Sequence, residues 1–375
     1  MTAPDGAGST SISSGRRRPG RLAPVVGTAR KMLQDALAAA GYPDRVLVAC
    51  SGGPDSLALA AVAAYFGRRG HVDGHPVSVG AVVVDHQLQP GSAAVAATTA
   101  RTLDELGLSP VTIRTVDVAS SGAGPEAAAR DARHAALEAA ADEAGAAAIL
   151  LGHTLDDQAE QVLLGLARGS GTRSLAGMRP ARGRLLRPFL GLRRADTLEI
   201  CRVEDLEPWH DPSNTDPVYA RSRTRVEVLP LLEDKLGPGV AESLARTAAI
   251  LQLDADYLED VANDTFERLR QQTGEEISLP EAGLRDLAPA VRFRVIAKAA
   301  AAVGGQQPSY QRLLAAEALL RRQGSAGPVE LPGGVSVFRL SLAQLLAAEP
   351  SAAGVPREAA RCGKLVFRPQ KPPRN

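Results

Sequence analysis

Aromatic residues are scarce in this chain: Phe, Trp and Tyr make up 3% of its 375 residues, against 45% for all hydrophobic types. Its cores must therefore be built mainly from Ala, Val and Leu, and helix-rich packing is expected. Cysteine is nearly absent. Cys50, Cys201 and Cys362 stand far apart, which excludes a disulfide framework and any Cys-x-x-Cys metal or cluster site, and fits a reducing, cytoplasmic setting. No run approaches the ~18 apolar residues that span a bilayer, and the N-terminus lacks an apolar signal core, so no membrane partner is expected. A net charge of +1 argues neither for nor against a polyanionic partner, because distribution matters more than the sum.

Two phosphate-binding fingerprints are missing as well. Neither Gly-x-x-x-x-Gly-Lys-Ser/Thr nor Gly-x-Gly-x-x-Gly comes after the first predicted strand, so the Walker loop and the dinucleotide fold are excluded there. The strand leads instead into Ser51-Gly52-Gly53-Pro54-Asp55-Ser56, between the apolar run Val46–Cys50 and an apolar helix start. Gly52 and Gly53 let the main chain turn close to a ligand, and Pro54 suits a first helical position. The N–H groups of that first turn favour an anion. Asp55 would repel a phosphate unless a divalent cation lay between them, which points to Mg²⁺ bound with a nucleotide. The plainer reading is a strand-to-helix turn with a capping side chain.

Strands alternate with helices from there. A run over 77–84 ends in Asp85-His86, helices are expected over 91–106 and 126–144, and strands over 111–116 and 147–151. This βα repeat predicts an α/β fold with a doubly wound parallel sheet, ligands gathering at the carboxyl ends of its strands. The last of these strands leads into Gly152-His153-Thr154-Leu155-Asp156-Asp157-Gln158-Ala159-Glu160. Ala159, Val162, Leu163 and Leu166 mark a buried helix face; Asp156 and Glu160 lie together on its flank, with Asp157 about 100° further round. Carboxylates in a first turn compensate the helix dipole, but that role asks for no His153 beside them.

Between Gly165 and Arg194 the chain carries Arg168, Arg173, Arg179, Arg182, Arg184, Arg187, Arg193 and Arg194 with no acidic residue. Such a block is the footprint of a nucleic-acid backbone, or else a solvated face. A second basic ladder, Arg221, Arg223 and Arg225, comes after turn residues over 209–217. The expected organisation is a disordered leader at 1–23, a nucleotide-binding domain at 24–220, a helical connector at 221–275, a small α+β domain at 276–347 with a Pro-Gly-Gly hairpin, and a flexible basic tail at 348–375.

In this order, the motifs resemble those of the tRNA(Ile)-lysidine synthetases, a branch of the PP-loop, or N-type, ATP pyrophosphatases. Ser51–Ser56, Val84-Asp85-His86, Ala129-Arg130-Asp131-Ala132-Arg133, Gly152–Glu160, Arg168-Gly169-Ser170-Gly171, Pro212-Ser213-Asn214 and the Arg221-Arg223-Arg225 ladder carry the resemblance. Gln87, Gln89, His134 and Gln161 depart from the usual pattern. The resemblance implies an enzyme that uses ATP and Mg²⁺ to adenylylate C2–O of the wobble cytidine in the CAU anticodon of tRNA(Ile), then joins free L-lysine there, changing codon reading from AUG to AUA. It implies catalytic roles for Asp55, His153, Asp156, Asp157 and Glu160. ATP binding falls to Ser51, Gly52, Gly53, Pro54, Asp55, Ser56, Asp85 and His86, the metal to Asp55, and tRNA to Arg130, Arg133, Arg168, Arg221, Arg223 and Arg225. The small domain is taken as tRNA-binding, and a homodimer is left open. The rival readings are a PP-loop tRNA sulfurtransferase, which the cysteine spacing disfavours, and a non-catalytic ATP-binding protein, which the paired His153 and carboxylates disfavour.

Overall fold

The computed structural model describes residues 22–85, 87, 91–116, 125–169, 171–212, 216–322, 324, 326–348 and 362–370, with the backbone alone at 125–130 and 346–348. It divides into two compact units, Met1–Ala249 and Ile250–Asn375.

The first unit is organised on strand β1 (Arg45–Cys50), buried over all but its first residue. Strands β2 (Ser78–Asp85), β3 (Val111–Thr115) and β4 (Ala148–Leu151) join it in parallel, and a short hairpin, β5 (Ala181–Arg182) and β6 (Leu185–Leu186), extends the sheet. The order is β3-β2-β1-β4-β6-β5. The chain therefore leaves β1 first to one side and then to the other, which makes the β1/β4 boundary the topological switch point. Alternation along β1 supplies both faces. Val46, Val48 and Cys50 enter a core with α1 (Pro24–Ala39), α2 (Pro54–Arg69), α3 (Ser92–Glu105) and α6 (Arg194–Val203). Leu47 and Ala49 face the opposite way, onto Leu137, Ala140 and Ala141 of α4 (Pro125–Ala144). The expected doubly wound parallel sheet is present. Helix α2 ends as its sequence dictates, on Gly70 at φ +71° with Arg68 and Arg69 in the last turn.

The second unit holds an antiparallel sheet of β7 (Gln271–Thr273), β8 (Glu276–Pro280), β9 (Ala326–Leu331), β10 (Val335–Leu340) and β11 (Lys364–Pro369), in the order β9-β10-β11-β8-β7. Helices Pro289–Ala302 and Tyr310–Ala318 share its core. The hairpin over the Pro-Gly-Gly turn is present, Leu331 pairing with Val335.

Two boundaries differ from expectation. The 348–375 segment is not wholly a flexible tail, because Lys364–Pro369 is the central strand of this sheet, paired on both sides and burying Leu365, Val366 and Phe367. Its apolar core is only three residues long and sits among prolines and basic residues, so nothing local marks it as central. Likewise, the division at 249/250 falls within helix Val240–Leu269, and the segment read as a connector over 221–275 is shared between the units. Residues 1–21 of the leader expected at 1–23, His86 and the Ser213-Asn214 pair lie outside the described residues.

Candidate active site at the carboxyl edge of the parallel sheet

The turn after β1 is built so that its backbone stays bare. Gly52 has φ +81°, and a Cβ there would lie 2.5 Å from Thr99 Oγ1 on α3. Gly53 caps α2 without any side-chain hydrogen bond, and Pro54 opens the helix. The main chain is held from within by Ser56, which is buried: its Oγ accepts from Ser51 N–H at 3.1 Å and donates to the Gly53 carbonyl at 3.0 Å. From outside, Trp209 N–H donates to the Gly52 carbonyl at 2.9 Å. Ser56 thus shapes the loop, while the start of α2 keeps the anion preference of a helix N-terminus. Beside the loop lies a cavity of about 240 Å³ floored by Ala49, Val82 and Val84 and walled by Ser51, Gly53, Trp209 and the opposed charges of Arg133 and Asp211. Strand-end valines form its apolar floor and an arginine part of its rim, a suitable composition for a nucleoside carrying phosphate.

Helix α5 (Leu155–Ala167) starts at the end of β4 with a capping box: Thr154 Oγ1 accepts from Asp157 N–H at 3.4 Å, and Asp157 Oδ2 accepts from Thr154 N–H at 2.8 Å. Gly152 is required just before it, since a Cβ there would lie 2.8 Å from the Asp55 carbonyl. The β4–α5 junction is thereby pressed against the first turn of α2, and the two motifs meet.

All three carboxylates of α5 are gripped by arginines. Asp156 accepts from Arg193 Nε at 3.2 Å and from Arg194 N–H at 2.7 Å. Asp157 Oδ1 meets Arg194, Arg221 and Arg225 at 3.1–3.2 Å. Glu160 has no solvent exposure and accepts from Arg221 Nε at 2.9 Å and Arg225 Nε at 2.7 Å. Arg221 lies in a short helix, Ala220–Arg223, that widens into a π-helical turn over Thr224–Val228 containing Arg225. The turn is of a kind that recurs at functional sites, and both guanidinium groups reach the same two carboxylates. Burial would push the Asp157 carboxyl up, but Arg221 and Arg194 outweigh it and hold the group below its ordinary value.

Asp55 sits differently. Its Oδ1 accepts from Thr197 Oγ1 at 2.5 Å and its Oδ2 from Arg194 Nε at 3.2 Å. Burial raises its pKa, with Arg194 and the Thr197 hydrogen bond opposing. Among the described residues no group of three or more His, Cys, Asp or Glu side chains could hold a metal ion. A magnesium ion needs no such cage, since one carboxylate with nucleotide phosphates and water suffices. Asp55, at the helix start beside the loop, fits that pattern. His153 is half-buried, and Arg187 Nε donates to its Nδ1 at 3.2 Å. Desolvation, with Arg187, Arg133 and Arg221 opposing the pull of Asp157, takes its pKa down to about 3.

The structure thus brings together Ser51–Ser56, Arg133, His153, Asp156, Asp157, Glu160, Arg221 and Arg225. Asp85 is buried at the end of β2, where it accepts from Gln87 N–H at 2.9 Å. Arg223 points away from the carboxylates and donates to the Pro217 and Val218 carbonyls, and Arg168 is exposed. The side chain of Arg130 lies outside the described part of the molecule. The arginine block at 165–194 is not one surface. Arg168, Arg173, Arg179 and Arg182 are exposed, Arg184 pairs with Asp142 on α4, and Arg187, Arg193 and Arg194 turn into the site. Sequence alone does not separate these three, or Thr197, from their neighbours, because only their distant partners distinguish them. Gln158 is likewise silent in the sequence. Its amide holds both the N–H and the carbonyl of Met178, at 2.7 and 3.0 Å, and so ties the arginine-bearing loop to α5. Burial raises the Cys50 thiol and takes Cys201 to about 12, so neither is a ready nucleophile at neutral pH.

Residues 27–232 match the PP-loop domain family. The chain is 52% identical to the tRNA(Ile)-lysidine synthase of Leifsonia xyli over 77% of this chain and 85% of that one. It is 46% identical to the tRNA(Ile)-lysidine synthase of Salinispora tropica, over 88% and 98% respectively. Among solved structures, a U34-tRNA thiolase of Methanococcus maripaludis with a [4Fe-4S] cluster superimposes with a TM-score of 0.50 at 17% identity, covering 61% of this chain and 80% of that one; this likeness is one of fold.

Proposed function

The chain belongs to the tRNA(Ile)-lysidine synthase family of PP-loop enzymes and is an ATP-dependent ligase that forms lysidine in tRNA; we propose that it does so at this site in two half-reactions on the wobble cytidine of a CAU anticodon. In the first, ATP lies with its nucleoside in the cavity over Ala49, Val82 and Val84 and its phosphates at the Ser51–Ser56 turn. Cytidine O2 attacks the α-phosphorus, the bond from that phosphorus to the bridging oxygen breaks, and pyrophosphate leaves with the electron pair. The N–H groups at the start of α2 stabilise the charge that develops on it. Asp55 would supply a magnesium ligand, the ion neutralising phosphate charge when bound.

In the second half-reaction the ε-amine of free L-lysine attacks C2, AMP leaves, and the new C–N bond loses its extra proton. Asp157, held ionised by Arg221 and Arg194, is suited to hold a cationic amino acid, and Glu160 to take that proton. In the structure both already bind guanidinium groups, so the amino acid would have to take the place of an arginine there. Exposed Arg168, Arg173, Arg179, Arg182 and Arg223 are the groups proposed for the tRNA backbone.

The observation that carries this reading is the meeting of the bare glycine turn with the α5 carboxylates through Gly152, which supports neighbouring anion and cation sites. Measuring pyrophosphate release from ATP with and without tRNA and lysine tests it. Release that requires tRNA but not lysine is expected; release that requires lysine would refute the order of steps.

A further inference from the structure

His153 and Arg187 arrive at the site from neighbouring strands. Strand β4 ends two residues before His153, and β6, its parallel neighbour, pairs Leu185 with Ile149 and Leu186 with Leu150 immediately before Arg187. Arg187 is buried, and it is held elsewhere as well, Nη1 donating to the Arg179 carbonyl at 2.8 Å. Its Nε lies 3.2 Å from His153 Nδ1. A guanidinium group has donors only and stays protonated. The histidine nitrogen facing it must therefore carry the lone pair, which leaves the ring proton on Nε2.

We propose that Arg187 is a positioning residue that locks His153 as the neutral Nε2–H tautomer, and that His153 serves adenylyl transfer as a hydrogen-bond donor rather than as a base. The role rests on the adenylylation reading given above, but the tautomer does not. The chemistry of that step asks for a donor: cytidine O2 is a carbonyl oxygen with no proton to lose, so bond formation to phosphorus and departure of pyrophosphate with its electron pair need no base. Negative charge grows on phosphate oxygens, and a fixed N–H is what stabilises it. The basic nitrogen of His153 is already engaged, so proton removal from lysine falls to the carboxylates of α5. Burial of the ring, Arg187, Arg133 on α4 and Arg221 oppose a second proton, against the pull of Asp157.

The test is nitrogen NMR of full-length protein carrying ¹⁵N-labelled histidine, His153 being assigned by its loss in His153→Gln. The expected spectrum of the native protein has a protonated Nε2 and a bare Nδ1, unchanged between about pH 5 and pH 8. Arg187→Met removes the donor and should give mixed tautomers with titration nearer the ordinary value of about 6.5. Arg187→Lys, which keeps a donor, should restore the native pattern. In parallel, tRNA-dependent pyrophosphate release should fall about 10- to 100-fold in Arg187→Met through kcat, with Arg187→Lys closer to native. A native His153 protonated on Nδ1, or on both nitrogens at neutral pH, would overturn the proposal, as would an Arg187→Met spectrum identical to native. Native tautomerism together with no pyrophosphate release in any lysine-free mixture would instead refute the adenylylation reading and the donor role that depends on it.

Discussion

Arg225 Nε lies 2.7 Å from Glu160 Oε1, and the carboxylate it meets is shielded entirely from solvent. The arginine itself is partly exposed, at 23% of its side chain. A buried anion held by a cation that opens to solvent can exchange that cation at far lower cost than one enclosed on all sides. The pairing satisfies Glu160, because a charge left alone in the interior would cost several kcal/mol.

Glu160→Gln separates the two half-reactions. The change is nearly isosteric, but it leaves Arg221 and Arg225 facing a neutral amide, for a stability loss of about 1.5–3 kcal/mol, the range for hydrogen bonds to charged groups. Pyrophosphate release should persist while lysine transfer fails, so that adenylylated tRNA accumulates and can be trapped. Equal loss of both steps would move Glu160 to the nucleotide end of the site.

Asp55→Ala should abolish tRNA-dependent pyrophosphate release in a protein that still folds. The turn owes its shape to Gly52, Gly53 and Ser56, not to this carboxylate. Thr197→Val, which removes the hydrogen bond to Asp55 Oδ1, should lower the rate without eliminating it. Unimpaired release by folded Asp55→Ala would take Asp55 out of the chemistry.

The arginines divide into exposed ones, proposed for RNA, and ones paired with carboxylates. Converting Arg168, Arg173, Arg179 and Arg182 to Gln should weaken tRNA binding for every sequence and flatten the plot of log K against log salt by about 0.7–0.9 for each phosphate no longer neutralised. Arg184→Gln, whose arginine pairs with Asp142, is the control and should leave the slope alone. An unchanged slope in the fourfold variant would make that group a solvated face.

Much of this was legible in the chain because the signals were local. The apolar runs at 46–50 and 77–84, the glycines after them and the acidic start of α5 each declare their element within a few residues. The edge hairpin β5–β6 is two residues per strand, too short for any period, and yet it delivers Arg187. Lys364–Pro369 is central only because β8 and β10 flank it, a fact written nearly a hundred residues away in the case of β8. Arg193 and Arg194 read as two more members of a basic block, and it is their carboxylate partners on α2 and α5 that give them a place.

Gly52→Ala tests the backbone of the turn. The new methyl group would meet Thr99 Oγ1 at 2.5 Å, and the residue would stay at φ +81°. Thr99→Ala removes the clash but not the left-handed strain of about 1–2 kcal/mol. The double variant should therefore be more stable than Gly52→Ala alone and less stable than Thr99→Ala. If Thr99→Ala and the double variant have equal denaturant midpoints, the positive φ carries no cost there.

His153 predicts how stability follows pH. Its pKa in the folded protein is about 3, whereas in the unfolded chain it is about 6.5. Between these values the unfolded state binds a proton that the folded state does not, so stability rises with pH across the window and falls as the solution is acidified. The contribution cannot exceed about 1.4 kcal/mol per pH unit. Asp157, depressed below its ordinary value, adds an acid-labile contribution that is lost at the acid end of that window and beyond it, near and under pH ~4; Asp55, raised by burial, acts in the opposite sense. Comparing native protein with His153→Gln cancels both. Urea midpoints taken from about pH 7 down to about pH 4.5 should fall more steeply for the native protein than for the variant, the two curves converging or crossing toward acid. Parallel curves would mean that His153 titrates alike in both states, and that the Arg187 contact does not hold it neutral in solution.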